Sequence, residues 1–320
     1  MKKILFVGGS LNQSSIAHAV ARELEGEYEY YFSSYYVDGF YSILKKLGLL
    51  EFTVVGGNQL RRTMKYFTEN NLPMDQAGAS HDYDLFVFVQ DILLPGNTKG
   101  KPLLLIQEGM TDREGFAYRL VKWFKLPLYL AGTAATGLSD RYQTFCVASE
   151  GYKNLFVSKG AKPEKIVVTG LPNFDNAVQY YENDFPHKDY VMVATSDSRE
   201  TFKRKNKKKF LEWTKEIAKD RPIIFKLHPN ENVERSSEEI RAILPDATIM
   251  TDGNTEQMIA NSQALITEYS TCIYVGLALE KEGYSDYFDI EFLKELMPIQ
   301  NGGESGKRIA AECRKILEEN

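Results

Sequence analysis

Two stretches decide how this chain reads. The first is Ile223-Ile224-Phe225-Lys226-Leu227-His228-Pro229-Asn230; the second is Ala264-Leu265-Ile266-Thr267-Glu268-Tyr269-Ser270-Thr271. In each, a short apolar run stops at polar side chains, and residues of helical character follow. Such runs read as parallel strands buried on both faces of an α/β sheet, because covering helices make both faces apolar. In open α/β sheets ligands bind in the crevice outside the carboxyl ends of the strands. The residues just past each run are therefore the first candidates for function.

His228 there can donate to an anionic oxygen, Pro229 stiffens the loop that also carries Asn230, and Lys226 adds a point charge. Ser270 and Thr271 open a predicted helix, where hydroxyls and unbonded backbone N–H groups suit an anion. Glu268 would repel phosphate; it suits a ribose or sugar hydroxyl, or it orients Lys226 or Arg199. A third loop of this kind, Thr195-Ser196-Asp197-Ser198-Arg199, follows the apolar run Tyr190 to Ala194, and Arg199 would pair bidentately with phosphate.

Working outward, the second half alternates strands and helices: Lys207 to Lys219 helical, then the Ile223 strand, a helix near Ser237 to Leu244, a strand Thr248 to Met250, a helix Thr255 to Asn261, the Ala264 strand, and a helix Thr271 to Leu279. A terminal helix runs from about Ser305 to Glu318. The first half repeats the alternation, with strands at Lys3 to Val7, Tyr28 to Phe32, Leu85 to Val89, Leu103 to Ile106, Phe145 to Val147 and Ile166 to Val168. Ser14 or Ser15 is expected to cap the first helix. The helix Arg113 to Phe124 is expected to pack through Phe116, Leu120 and Phe124, which are spaced i, i+4. Alternation throughout implies parallel sheets. Gly170-Leu171-Pro172-Asn173 breaks the pattern, which gives domains 1–174 and 189–320 around a linker 175–188, with the terminal helix packing back on the first domain.

Chain length and composition agree. Two domains are the prior for 320 residues, and 43% apolar with 26% charged residues is ordinary for a globular protein. A net charge of −5 offers no general attraction to nucleic acid or an anionic surface. The basic run Lys203 to Lys209 reads as a solvated helix start, with peripheral membrane contact as the sharper alternative. Three distant cysteines, the lack of an apolar run long enough to span a membrane, and a start too short for a signal peptide lead to the expectation of a cytoplasmic protein. No metal-ligand spacing is present, and no metal or cofactor is expected.

In the first half, Gly9 and Ser10 form a tight turn after the first strand, suited either to packing or to close approach of a substrate. Asp91 and Glu108 lie just past strands. Either carboxylate could take a proton from an acceptor hydroxyl or from a sugar, or could pair with Arg113 or Arg119.

The region from Cys146-Val147-Ala148-Ser149-Glu150 through Asn154-Leu155, Gly160, Pro163-Glu164-Lys165-Ile166, Thr169-Gly170 and Asp175-Asn176-Ala177 resembles the junction region of nonhydrolysing UDP-N-acetylglucosamine 2-epimerases. Thr195, Arg199 and Glu200 resemble that family's donor loop, and His228-Pro229-Asn230 with Asn232-Val233 its histidine–proline loop. Gln107-Glu108-Gly109 echoes a segment that carries a catalytic glutamate. The chain departs from those epimerases at Glu268-Tyr269-Ser270-Thr271, which replaces Asp-Ser-Gly-Gly. That version is closer to CDP-glycerol glycerophosphotransferases and to sialyl- and Kdo-type transferases of capsule synthesis. Gly8-Gly9-Ser10-Leu11-Asn12 also stands where the epimerases carry an arginine-rich signature. The resemblance covers roughly residues 85 to 280.

It implies two Rossmann-like domains of the glycosyltransferase-B type with a cleft between them. It further implies a metal-independent transferase acting on a nucleotide-activated donor, UDP-, CDP- or CMP-linked, and a cell-envelope glycan or related acceptor. His228 would lie near the diphosphate, and Glu108 would be an acid or base. An epimerase-like isomerase is the alternative, and a nucleotide-sugar binder without activity is a third reading.

Overall fold

The structure is a computed structural model and describes residues 1–50, 53–196 and 206–319. The chain divides into two compact units, residues 1–175 with 301–320, and residues 176–300.

Unit 1 runs β1 (Lys3–Gly8), α1 (Leu11–Arg22), β2 (Glu29–Ser34), α2 (Gly39–Lys46), α3 (Gly57–Glu69), β3 (Leu85–Phe88), β4 (Leu103–Ile106), α4 (Phe116–Phe124), β5 (Thr144–Val147), α5 (Glu150–Lys159) and β6 (Ile166–Val168). Its six strands lie in the order β2-β1-β3-β4-β5-β6, and every pairing is parallel. The apolar runs that mark β1, β3 and β4 are buried along nearly their whole length, as strands covered on both faces must be. The chain steps from β1 outward to β2 and returns to the other side of β1 for β3, so this sheet reverses between β1 and β3.

Unit 2 runs β7 (Tyr190–Ala194), α6 (Lys207–Ala218), β8 (Ile223–Lys226), α7 (Val233–Ile243), β9 (Thr248–Met250), α8 (Thr255–Asn261), β10 (Ser262–Thr267), α9 (Ile273–Ala278), β11 (Glu282–Ser285) and α10 (Ile290–Glu295). The order is β11-β10-β7-β8-β9, again all parallel, so this sheet reverses between β7 and β10. Val191, Val193, Phe225, Ala264 and Ile266 from the central strands pack with Phe210, Leu211 and Ile240 from α6 and α7.

The chain then returns to unit 1 as α11 (Ser305–Glu319), which packs on α1. Asp175, the last residue of the first pass, receives that return: its carbonyl accepts from Asn301 and Gly302 N–H, and its carboxylate from Ser305 N–H at 2.9 Å.

Three expectations are corrected and one strand was missed. The cap of α1 is Ser10, whose hydroxyl accepts from Gln13 N–H, and not Ser14 or Ser15. The helix α4 begins at Phe116 and buries Tyr118 and Val121, while Phe116 and Phe124 are 76% and 62% exposed. Both faces of that helix are apolar, so spacing could not tell which one the protein covers. The strand β11 escaped notice because Glu282-Gly283-Tyr284-Ser285 has no apolar run; it is a short, half-exposed edge. The helix near Thr271 is α9, which starts at Ile273 and leaves Ser270 and Thr271 in the loop.

Candidate functional site

Each unit carries polar residues at the carboxyl ends of its strands, and each set is built by its own sheet.

In unit 2 the strands β8, β7 and β10 are neighbours, and Ala194 stands opposite both Lys226 and Thr267. The Thr195, His228 and Ser270 loops therefore leave the sheet side by side, across the reversal between β7 and β10, where open α/β sheets bind ligands. Two carboxylates brace them. Glu268, 3% exposed, accepts from Ser196 N–H at 2.9 Å, from the Ser196 hydroxyl at 3.0 Å and from Lys207 Nζ at 3.0 Å. Glu231 accepts from His228 N–H at 2.9 Å, from the Ser236 hydroxyl at 3.2 Å and from the Thr195 hydroxyl. Lys207 Nζ lies 3.6 Å from Glu231 as well, so one buried ammonium bridges both carboxylates.

The ring of His228 is positioned by its own loop. Asn230 N–H donates to His228 Nδ1 at 3.2 Å, which leaves the proton of the neutral ring on Nε2. The backbone N–H of His228 also donates to the Thr195 hydroxyl at 3.0 Å. The histidine is thus oriented by Thr195 and Glu231, with the donor of the neutral ring on Nε2. His228, Asn230, Ser270 and Thr271 are half-buried and Pro229 is exposed, so these loop tips reach solvent. Gly276 allows α9 to settle on β10: a Cβ there would stand 2.7 Å from Leu265.

Several expected ligand groups are committed elsewhere. Thr195 and Ser196 give their hydroxyl protons to Glu231 and Glu268. Lys226 is buried and donates to the carbonyl of Thr251 beyond β9, and burial holds its pKa below the usual lysine range. Glu268 holds Lys207 and Ser196; of the partners expected for it, Lys226 donates to Thr251 and Arg199 lies outside the described residues. Lys207 itself was read as part of a solvated basic run and is 7% exposed. Arg199, and the basic run from Lys203 to Lys205, lie outside the described residues.

Neither Lys207 nor Glu231 was singled out in the sequence. A signal for Lys207 was present: counting back one turn along the buried positions Thr214, Leu211 and Phe210 of α6 lands on it. Glu231 had none beyond its place just ahead of the Asn232 cap of α7.

In unit 1 the cap of α1 meets the end of β4. Glu108 accepts from the Ser10 hydroxyl at 3.0 Å and from Gln13 Nε2 at 2.8 Å, and Asn12 Nδ2 donates to its carbonyl at 3.2 Å. Burial pushes the Glu108 carboxyl above the usual range more strongly than Gln13, Ser10 and Asn12 pull it down. Gln90, Met110, Thr111, Thr133 and Thr136 share a small recess with Glu108. Neither Arg113 nor Arg119 is among the hydrogen-bond partners found for Glu108.

Asp91 does different work. It is 1% exposed and accepts from Gly137 N–H at 2.8 Å and Ser139 N–H at 3.1 Å, which corrects its reading as a base facing an acceptor. Gly9 is accounted for by packing, since a Cβ there would stand 2.7 Å from Val54 and 2.8 Å from Tyr35. The three cysteines are free and buried. Among the described residues no three His, Cys, Asp or Glu side chains gather as metal ligands do, and no helix is long and apolar enough to cross a membrane.

Comparison with known proteins agrees with this architecture. No family model matches the chain, and no curated protein matches it by sequence. Solved structures do match it along nearly its whole length. A UDP-GlcNAc 2-epimerase from Neisseria meningitidis bound to UDP-GlcNAc is similar at 12% identity and a TM-score of 0.57, over 98% of this chain and 100% of that one. The MnaA protein of S. aureus in complex with UDP is similar at 12% identity and a TM-score of 0.57, over 99% and 97%. The wall teichoic acid polymerase TagF is similar at 13% identity and a TM-score of 0.53, over 99% and 89%. Both units are Rossmann-like, and the fold is of the glycosyltransferase-B type.

Proposed function

We propose that this chain is a transferase that moves a sugar or a polyol phosphate from a nucleotide-activated donor, UDP-, CDP- or CMP-linked, to a cell-envelope glycan or related acceptor. The observation that carries the reading is the side-by-side exit of the Thr195, His228 and Ser270 loops at the reversal point of the second sheet. The nucleotide ligands of two neighbours of this fold support a nucleotide-linked donor.

On this reading the donor phosphates lie against the tips of the His228 and Ser270 loops. The Nε2–H of His228 donates to the phosphate oxygen that gains charge as the nucleotide leaves, and the hydroxyls of Ser270 and Thr271 add neutral donors. The brace of Glu231, Glu268 and Lys207 keeps those loops from reorganising during the step, which is where charge stabilisation by fixed donors gets its strength. In unit 1 Glu108 takes the proton of the acceptor hydroxyl as its oxygen bonds to the transferred group, and the bond to the nucleotide breaks. A carboxyl with a raised pKa is a better base than an exposed one, because its conjugate acid is weaker.

His228→Ala should lower kcat by about 100-fold or more with little change in thermal stability, since the lost contact matters most in the transition state. Full activity in that variant would end the proposal. A thermal-shift screen across CMP, CDP, UDP and GDP identifies the nucleotide, because a ligand that binds only the native state raises the melting temperature. The proposal assigns no resident metal, so turnover should survive exhaustive chelation with EDTA.

A second reading is isomerisation of a UDP-sugar without an acceptor, favoured by the resemblance of the epimerase neighbours and by the raised pKa of Glu108. It needs carboxyl groups on both sides of the sugar, and Asp91 is committed to Gly137 and Ser139. Incubation with UDP-N-acetylglucosamine alone, followed by NMR, separates the two: a new sugar signal supports the isomerase.

A further inference from the structure

Unit 1 carries an apolar surface that no part of the described chain covers. Of the fifteen large apolar side chains found exposed among the described residues, eight lie in two short segments, 43–49 and 116–130. On α4, Tyr118 and Val121 turn inward, and the opposite side presents Phe116, Trp123 and Phe124 at 76%, 81% and 62% exposure. The rings of Trp123 and Phe124 stack on each other at 5.7 Å, and Leu130 extends the surface. On α2 and just beyond it, Ile43 and Leu47 are 56% and 66% exposed. The two segments are neighbours, since the rings of Tyr41 and Tyr129 meet at 5.3 Å.

The charges within these two segments have one sign. Between residues 39 and 50 the ionisable acid and base side chains are Lys45 and Lys46; between 116 and 130 they are Arg119, Lys122 and Lys125. Neither stretch holds an acid, in a chain whose net charge is −5; Asp38, Glu51 and Glu114 flank them. Of these bases, Lys122 also donates to the carbonyl of Lys159.

We infer that this surface docks unit 1 onto an anionic phospholipid bilayer. Apolar patches on soluble folds mark interaction sites. Tryptophan and phenylalanine on one side of a helix beside lysine and arginine is the composition of helices that lie in a membrane–water interface. Basic side chains at that depth are attracted by anionic headgroups. A second copy of the chain is a poorer occupant, because a two-fold contact through this surface would set its cations against their own copies. The residues 110–136 that include α4 also line the recess beside Glu108 through Met110, Thr111, Thr133 and Thr136. If the transferase reading holds, docking brings that recess to the surface where a lipid-borne acceptor lies; the docking itself does not depend on that reading.

The test is co-sedimentation of the full chain with vesicles of equal phosphatidylcholine and phosphatidylglycerol, and with vesicles of phosphatidylcholine alone, in the absence of substrate. The chain should bind the anionic vesicles, and more weakly as salt is raised. Trp123→Ala with Phe124→Ala should weaken binding about tenfold or more, and Arg119→Gln with Lys125→Asn should weaken it and flatten its salt dependence. All four positions are exposed, and unchanged thermal melting confirms that each variant folds. Absence of binding to the anionic vesicles, or equal binding by every variant, overturns the inference. A dimer in sedimentation velocity that Trp123→Ala abolishes also overturns it, because a second copy would then cover the surface.

Discussion

Glu108 is a side chain whose burial works against stability. Its folded pKa lies above the unfolded value because burial disfavours the carboxylate. The native state therefore holds that proton to higher pH than the unfolded chain does, so stability falls as pH rises from the unfolded pKa to the folded one, and the deficit persists above it. Glu108→Gln removes the deficit: the variant should be more stable than the native protein at neutral pH, lose that pH dependence in urea melts, and lack turnover. Glu268 is a structural brace. Its carboxylate is buried with Lys207, and without it that ammonium keeps, among the described residues, Glu231 alone at 3.6 Å, so Glu268→Ala should cost about 1–3 kcal/mol in denaturant unfolding, the usual range for a lost hydrogen bond to a charged group. A loss within about 0.5 kcal/mol, the range of an ordinary surface change, would show that the brace is not structural. At this scale the position of His228, Asn230, Ser270 and Thr271 just past strands was legible, because polar groups stood just past apolar runs. What each hydroxyl or carboxylate bonds to was not legible, since Ser196 and Glu268 are 72 positions apart and Ser10 and Glu108 are 98 apart.

At the scale of elements, α1 and α5 make a controlled pair. Each has a serine cap, Ser10 accepting from Gln13 N–H and Ser149 from Tyr152 N–H. Replacing either by alanine should cost about 1 kcal/mol, the usual value of such a cap. Only Ser10 also donates to Glu108, and that bond lowers the Glu108 pKa. Ser10→Ala should therefore move the acidic limb of the pH–rate profile upward, while Ser149→Ala leaves it in place; identical profiles would separate Glu108 from the chemistry. Elements with one continuous apolar run, such as β1, β4 and β8, could be read directly, because burial on both faces leaves no room for polar residues. In α4 the side that packs was misread: both of its sides are apolar, and only the neighbouring segments choose between them. In β11 the weak edge pattern carried too little apolar character to be seen.

At the scale of the molecule, the first unit is closed by a segment that arrives 125 residues after the chain has left it. In α11 the side chains of Ile309, Ile316 and Leu317 are at most 3% exposed. Re-exposing each costs about 1.5–3 kcal/mol, and a whole domain holds only about 5–15 kcal/mol of net stability. A chain that stops at Gln300 should thus lose the cooperative unfolding of unit 1 and show rapid proteolysis there, while residues 176–300 stay protected. Uniform protection of both units would contradict the division. The alternation of apolar runs and helical stretches was enough to specify two parallel α/β sheets, because strand burial is written locally, in consecutive residues. Strand order, and with it the reversal points beside β7 and β1, depends on which runs become neighbours. The packed side of α4, the inward turn of Lys207 and the service of Asp91 to Gly137 and Ser139 depend on it too. Those choices arise from contacts between residues far apart in the chain, whose energies exist only once the sheets have formed.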